Sequence, residues 1–219
     1  GTDLTFGYQT AINIATDCID CIHTTASSHG RVFIVEVMGH KVGWLTLNAG
    51  IAGGADIILL PEIPYDTKKV CAAIEARHTS GKKFTILAVA EGAISKETAK
   101  LDKKEREKAM EKLLKKYPSV SYKLAEDITN ATGYEVRVTV PGHTQRGGTP
   151  CAFDRVLSTR MGAYAAQLIM KEQYGYMVAL VNNEIKKVKL EDCAGKLKSV
   201  SPHDQTVELA KSIGISFGD

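Results

Sequence analysis

Apolar positions recur along the chain with two alternating periods, and the alternation marks out the elements. Between residues 8 and 25, Ala11, Ile12, Ile14, Ala15, Cys18, Ile19 and Ile22 step by three and four, the face of a helix. "RVFIVEVMG" (31–39) is a strand-like run ending in glycine, and "VGWLTLNAGIAGGA" (42–55) reads as a short helix closed by a glycine pair. "DIILLPE" (56–62) is a buried strand stopped by proline, and residues 66–79 form a helix opened by Asp66 as N-cap. Two further strands follow, "KKFTILAVAEG" (82–92) and "YEVRVTVPG" (134–142), and then a long helix over 150–173. "YMVALVNN" and "IKKVKL" read as closing strands, and "PHDQTVELAKSIG" as a last helix.

Short apolar strands alternating with helices predict a layered α/β fold, helix–sheet–helix, with a mainly parallel sheet. Ligands in such sheets collect beyond the carboxyl ends of the strands. Those ends read "VMGH", "LLPE", "VAEG" and "VPGHTQRGG", and three of the four join a glycine to a charged or imidazole side chain. The chemistry is therefore expected along one edge. Residues 95–118 break the rhythm, with nine Lys/Arg against five Asp/Glu and few apolar positions. Strong helix formers with mixed charge favour a solvated helical insertion over a nucleic-acid-binding arm.

Composition narrows the class. With 219 residues, 44% of them hydrophobic, the chain can bury a sizeable core, and a net charge of +3 does not announce a nucleic-acid or membrane partner. Five cysteines without scaffold spacing read as reduced thiols in a cytoplasmic protein, and no signal peptide or transmembrane run is visible. Cys18 and Cys21 form a CxxC inside a helical stretch. No second ligand pair with zinc spacing follows, so they read as ordinary thiols and no metal site is expected.

The densest candidate chemistry is "GHTQRGGTP" (142–150). Its glycines free the backbone for tight turns, while Thr149 and Pro150 look like an N-cap and first helical residue. His143, Gln145 and Arg146 then sit where helix N–H groups favour an anion, a candidate phosphate site.

These stretches together resemble a family. "GTDLTFGYQTA", "SSHGRVFIVEVMGH", "AGIAGGADIILLPE", "VAEGA", "TGYEVRVTVPGHTQRGGTPCAFDRVLSTRMGA" and "VALVNNEI" occur in the order found in bacterial-type 6-phosphofructokinases. The match covers essentially the whole chain outside the Lys/Glu insertion. In that family a "T-x-D-N-D" run with the catalytic base lies just before the equivalent of Gly1, and the donor loops lie earlier. The chain thus reads as a C-terminal portion, inactive by itself, without a catalytic base of its own. Two parts are expected: 1–149, binding fructose 6-phosphate and carrying the insertion at 95–118, and 150–219, packing on the missing donor-binding domain.

The resemblance carries roles to individual residues. Arg31 and Arg137 resemble arginines that reach the sugar 6-phosphate across a subunit interface, although strand alternation alone makes Arg137 an outward-facing residue. His143 and Arg146 resemble the phosphate and sugar ligands of the acceptor's own subunit. Glu91 would accept hydrogen bonds from sugar hydroxyls, and Met38 and Gly39 would let the sugar lie against the strand end. His40 stands where family members commonly carry an arginine that stabilises the transferring phosphoryl group, and Lys41 beside it offers a replacement charge. His23, Gly54, Asp56, Ser80 and Lys82 align with a possible effector region from which two family arginines are missing, which implies weak nucleotide activation.

The implied reaction transfers a phosphoryl group from ATP or pyrophosphate to the 1-hydroxyl of fructose 6-phosphate, in glycolysis. Mg²⁺ would be held mainly by the donor and the missing part. "GWLTLNAGIAGGAD" and the insertion look more like the pyrophosphate-using or mixed branch. Cross-subunit arginines imply a homo-oligomer, dimer or tetramer, with no nucleic-acid or membrane partner. The alternative is a non-catalytic sugar-phosphate-binding or regulatory subunit of the same fold.

Overall fold

The computed structural model describes residues 1–219 apart from the side chain of His29. In chain order the elements are α1 (Tyr8–His29), β1 (Val32–Val37), α2 (Trp44–Ala52), β2 (Ile57–Leu59), α3 (Thr67–Thr79), β3 (Thr85–Ala90), α4 (Lys96–Ala99), α5 (Lys103–Lys116), α6 (Val120–Thr132), β4 (Val136–Thr139), a 3₁₀ turn (Gly142–Arg146), α7 (Ala152–Met170), β5 (Tyr176–Val181), β6 (Glu184–Lys189), α8 (Leu190–Cys193) and α9 (Gln205–Ser212). The chain divides into two compact units, each discontinuous in sequence. One comprises Ile14–Gln145 and Ser199–Asp219, the other Gly1–Asn13 and Arg146–Lys198.

The larger unit is built on a four-stranded sheet in the order β2-β3-β1-β4, every neighbouring pair parallel. "VFIVEV" and "TILAVA" are buried along their whole length, as strands covered on both faces must be. Alternation sorts their side chains into two cores. Phe33, Val35, Val37, Ile58, Leu60, Ile86 and Ala88 face Ala15, Ile19 and Ala26 of α1, Leu47 and Ala49 of α2, and Val207 and Ala210 of α9. Val32, Ile34, Ile57, Leu59, Leu87 and Val89 face Val70, Cys71 and Ile74 of α3 and Val120, Leu124 and Ile128 of α6. The layers are helix, sheet, helix.

Local chemistry sets the helix ends. Asp66 caps α3, its carboxylate accepting from the Lys68 N–H at 2.9 Å. The Lys/Glu-rich stretch folds as α4 and α5, α5 opened by a reciprocal capping box between Asp102 and Glu105. α6, which the reading above leaves out, begins unusually. Ser119 occupies its N-cap without capping it, because the hydroxyl donates to the buried Glu36 carboxylate at 2.5 Å. That same carboxylate oxygen accepts from the Ser121 N–H at 3.3 Å, so a strand glutamate does the work of the cap.

In the smaller unit β5 and β6 pair antiparallel, a hairpin separate from the parallel sheet. Asn182 and Asn183 form its turn with φ of 52° and 63°, the mirror-image geometry that matches strand twist. Leu157 and Met161 of α7 pack with Leu180, and Leu4, Val178 and Ile185 complete the cluster. The first residues run beside β5, with Asp3 N–H donating to Leu180 C=O at 2.7 Å and Asn182 N–H to the Asp3 carboxylate at 2.7 Å.

α7 does not start at Thr149–Pro150. It starts at Ala152, with Cys151 as an N-cap that makes no side-chain cap bond. Its beginning is set by a distant partner: Cys151 N–H donates to Thr10 Oγ1 at 3.0 Å, while Thr10 donates to Asp154 through both its N–H (2.7 Å) and its hydroxyl (2.6 Å).

Candidate functional site

Because all four strands of the large sheet run the same way, their carboxyl ends and the turns after them line one edge. Met38, Gly39 and His40 follow β1, Glu62 follows β2, Glu91 and Gly92 follow β3, and the Gly142–Arg146 turn follows β4. Side chains and backbone of neighbouring turns are tied together. Glu91 Oε1 accepts from the N–H of Gly39 at 3.1 Å and of His40 at 2.6 Å. Gln145, only 1% exposed, accepts from the Met38 N–H at 3.1 Å and donates to the Gly142 C=O at 3.2 Å. The strand-end turn 38–40 is thus gripped from both sides, by Glu91 and Gln145.

The close approach leaves no room for larger residues. A Cβ on Gly92 would collide with the His40 carbonyl. His40 itself has a φ of 54°, left-handed backbone that costs a non-glycine residue about 1 kcal/mol. Its side chain and that of His143 are exposed, and the turn carrying His143 ends at an exposed Arg146, where the chain passes into the other unit. One step along the edge, Glu62 accepts from the Gly43 N–H (3.0 and 3.1 Å) and the Val200 N–H (3.0 Å), fixing the entry to α2.

Gln145, grouped by sequence with His143 and Arg146 in the candidate phosphate site, is instead a buried support of the 38–40 turn. Glu62 has no role assigned from sequence. Glu62 ends a strand just as Glu91 does.

Arg31 and Arg137 lie elsewhere. Arg31 precedes β1 and Arg137 pairs with Phe33 near its start, so both belong to the opposite, amino-terminal edge. Six strand residues separate Arg31 from Met38, about 23 Å at the rise of a β-strand. The two arginines meet on one carboxylate. Arg31 Nε lies 2.5 Å from Glu135 Oε2, and Arg137 is ion-paired to Glu135 Oε1. The structure therefore gathers Met38, Gly39, His40, Glu91 and His143 at one edge and sets Arg31 and Arg137 at the other.

His23, Gly54, Asp56, Ser80 and Lys82 also collect at the amino-terminal edge. His23 Nε2 sits 3.2 Å from the Gly54 carbonyl, and its ring stands edge-on to Phe84 at 5.6 Å. Asp56 is paired with Arg77 at 2.8 Å and accepts from the Ile86 N–H at 2.9 Å. Burial pushes the Asp56 carboxyl up, outweighing the Ile86 N–H and the charges of Arg77, His23 and Lys82, which pull it down. Ser80 donates its hydroxyl to the Arg77 C=O at 2.7 Å, and the Lys82 N–H donates to the same carbonyl at 3.1 Å. Arg77 is thus a member of this cluster that the sequence reading omits.

Comparison with known proteins returns the same answer from sequence and from structure. Residues 1–169 match the family model described as Phosphofructokinase. An ATP-dependent 6-phosphofructokinase of Spirochaeta thermophila is 49% identical over 219 residues, all of this chain and 59% of the relative. One of Chloroflexus aurantiacus is 45% identical with the same coverage, so the chain spans about three fifths of the length of these relatives. Among solved structures, phosphofructokinase from Pichia pastoris in the T-state superposes with a TM-score of 0.70 at 34% identity, over 97% of this chain and 22% of that one. Phosphofructokinase from Saccharomyces cerevisiae gives 0.72 at 29% identity, over 97% and 25%. The chain belongs to the phosphofructokinase family.

Proposed function

We propose that this chain carries the sugar-phosphate side of a 6-phosphofructokinase whose full length transfers a phosphoryl group from ATP to the 1-hydroxyl of fructose 6-phosphate, giving fructose 1,6-bisphosphate. The observation that carries the reading is the turn Met38–His40, held between Glu91 and Gln145 at the carboxyl edge of a parallel sheet. Such a turn offers a fixed backbone against which a sugar can lie. Glu91 Oε1 is spent on the turn, and its second oxygen is available to a sugar hydroxyl. His143 and Arg146 supply the charge for the phosphate.

ATP is preferred to pyrophosphate as donor because the relatives at 45–49% identity carry ATP-dependent names. The pyrophosphate-dependent structures that share the fold, such as that of Marinobacter aquaeolei, are only 18% identical. Among the described residues no three His, Cys, Asp or Glu side chains are grouped to hold a metal. Mg²⁺ is implied by the resemblance alone, as an ion carried mainly by the donor phosphates. The resemblance places the catalytic base outside these residues, in the two fifths of the relatives' length that the chain does not span.

Arg31 and Arg137, the latter level with Phe33, stand about 23 and about 17 Å along the strand from Met38, too far to reach a sugar phosphate lying there. A second copy of the chain would supply them, which makes the parent an oligomer. No helix among the described residues is long and apolar enough to cross a membrane.

The test is calorimetric titration of the chain with fructose 6-phosphate, with glucose 6-phosphate as control. Selective binding lost in Arg146→Ala supports a self-contained acceptor site. Equal binding of both sugars by a folded chain rejects the assignment.

A further inference from the structure

We infer that Glu135 is a tethered competitor for the anion that Arg31 and Arg137 recognise, and that it tunes the affinity of the parent enzyme for its sugar phosphate; this rests on the function proposed above. Two guanidinium groups converging on one acidic group is how proteins commonly bind phosphate, through charge-assisted N–H···O bonds. Here the acidic group belongs to the chain itself. One carboxylate oxygen of Glu135 takes Arg31 Nε at 2.5 Å and the other takes Arg137, so both arginines spend a donor on the same side chain.

The backbone imposes this meeting. β1 and β4 pair in parallel with Val32 opposite Val136, and the Val32 N–H donates to the Glu135 carbonyl at 3.1 Å, which brings residues 31 and 135 side by side. Glu135 and Arg137 are two apart at the start of a strand and project to one face. The trio is carried on rigid sheet backbone and needs no further contact to assemble.

Exposure decides that the contact is exchangeable rather than structural. The side chains of Arg31, Glu135 and Arg137 are 33%, 46% and 59% exposed. Ion pairs so open to water contribute little, and a phosphate dianion can displace them. While Glu135 holds them, the trio sums to +1. Without it the two arginines present +2 to an arriving anion. The carboxylate therefore weakens phosphate binding by occupying donors and by removing charge, and it leaves the chemical step alone.

The experiment is steady-state kinetics of the full-length parent carrying Glu135→Gln. The KM for fructose 6-phosphate is expected to fall roughly three- to tenfold, the sum of two exposed pairs, with kcat and the KM for the phosphoryl donor unchanged. Glu135→Gln combined with Arg31→Ala and Arg137→Ala should then lose that gain. A KM that stays the same or rises in Glu135→Gln, while Arg31→Ala and Arg137→Ala each raise it, overturns the competitor role and leaves the sugar-phosphate reading standing. If the two arginine variants leave the KM unchanged, the underlying assignment of these arginines falls and the inference falls with it.

Discussion

Glu91 holds the backbone of His40: its Oε1 accepts from the His40 N–H at 2.6 Å and from the Gly39 N–H at 3.1 Å. A single strand-end carboxylate thereby sets the shape of the turn after the neighbouring strand. Removing it leaves the part-buried Gly39 N–H and the exposed His40 N–H without this acceptor, a loss of about 1–3 kcal/mol. Glu91→Ala in the full-length parent should raise the KM for fructose 6-phosphate roughly ten- to a hundredfold. Glu91→Gln keeps an accepting oxygen and should recover most of the loss. Steady-state kinetics on both variants checks this, and equal defects in the two would mean that the charge, not the turn, is what matters.

Gly92 is the second support of the same turn. A methyl group there would collide with the His40 carbonyl, a backbone atom that cannot swing aside. Gly92→Ala should push the 38–40 turn away from β3 and destabilise the fold by about 1–3 kcal/mol. A thermal melt of the chain reads the stability, and fructose 6-phosphate titration reads the displaced turn. An alanine variant with wild-type melting and wild-type affinity would contradict the packing described.

His40 combines a left-handed backbone, φ 54°, with an exposed side chain at the proposed transfer edge. The two properties separate by mutation. His40→Gly relieves the backbone and should stabilise the chain by about 1 kcal/mol, measured by denaturant unfolding. His40→Arg restores a fixed cation where the resemblance expects one and should raise turnover of the full-length parent. Unchanged or lower turnover in His40→Arg counts against a role for this position in stabilising the transferring group.

At the amino-terminal edge the side chains aligned with an effector region are occupied by the chain's own groups. His23 contacts the Gly54 carbonyl, Ser80 donates to the Arg77 carbonyl, and Asp56 is paired with Arg77. Lys82 adds a cationic side chain whose charge acts on the Asp56 carboxyl. The intact enzyme is expected to show little activation by ADP, and rate against fructose 6-phosphate with and without ADP measures it. A sigmoidal curve made hyperbolic by ADP would overturn the expectation.

The layered sheet could be read from the chain because "VFIVEV", "DIILL" and "TILAVA" are short, mostly apolar runs that glycine or proline closes, a signal that needs no tertiary information. α6 was equally legible, with Val120, Leu124 and Ile128 at four-residue steps and a left-handed Gly133 closing it, but its neighbourhood is dominated by the charged insertion. Other features were out of reach. Thr149 and Pro150 carry the local chemistry of a helix start, yet α7 begins later because Thr10, more than 140 positions away, supplies the partner of Cys151 and Asp154. The split between Met38 and Arg31 depends on strand length and direction, and the sharing of Glu135 on the register of β1 with β4, neither of which a local pattern encodes.

That long-range partnership around Asp154 yields a pH prediction with a definite sign. Asp154 is 1% exposed, and burial works to raise its carboxyl. The hydroxyl and N–H of Thr10, the N–H of Gly7 and the Cys151 thiol donate to the ionised form and outweigh burial, so the group is held below the usual carboxylate value. A carboxyl depressed in the folded state stabilises the fold above its unfolded pKa, about 4, and that contribution is lost as pH falls through the lower folded value. Asp154→Asn should therefore be less stable than the parent sequence at neutral pH by about 1.5–3 kcal/mol, the range for a hydrogen bond to a charged group. The gap should close as the pH drops below about 4. Urea unfolding of the two proteins in parallel from neutral to acidic pH measures it. A gap that stays constant over that range would mean that Asp154 acts through shape alone and that its charge contributes nothing to holding the start of α1.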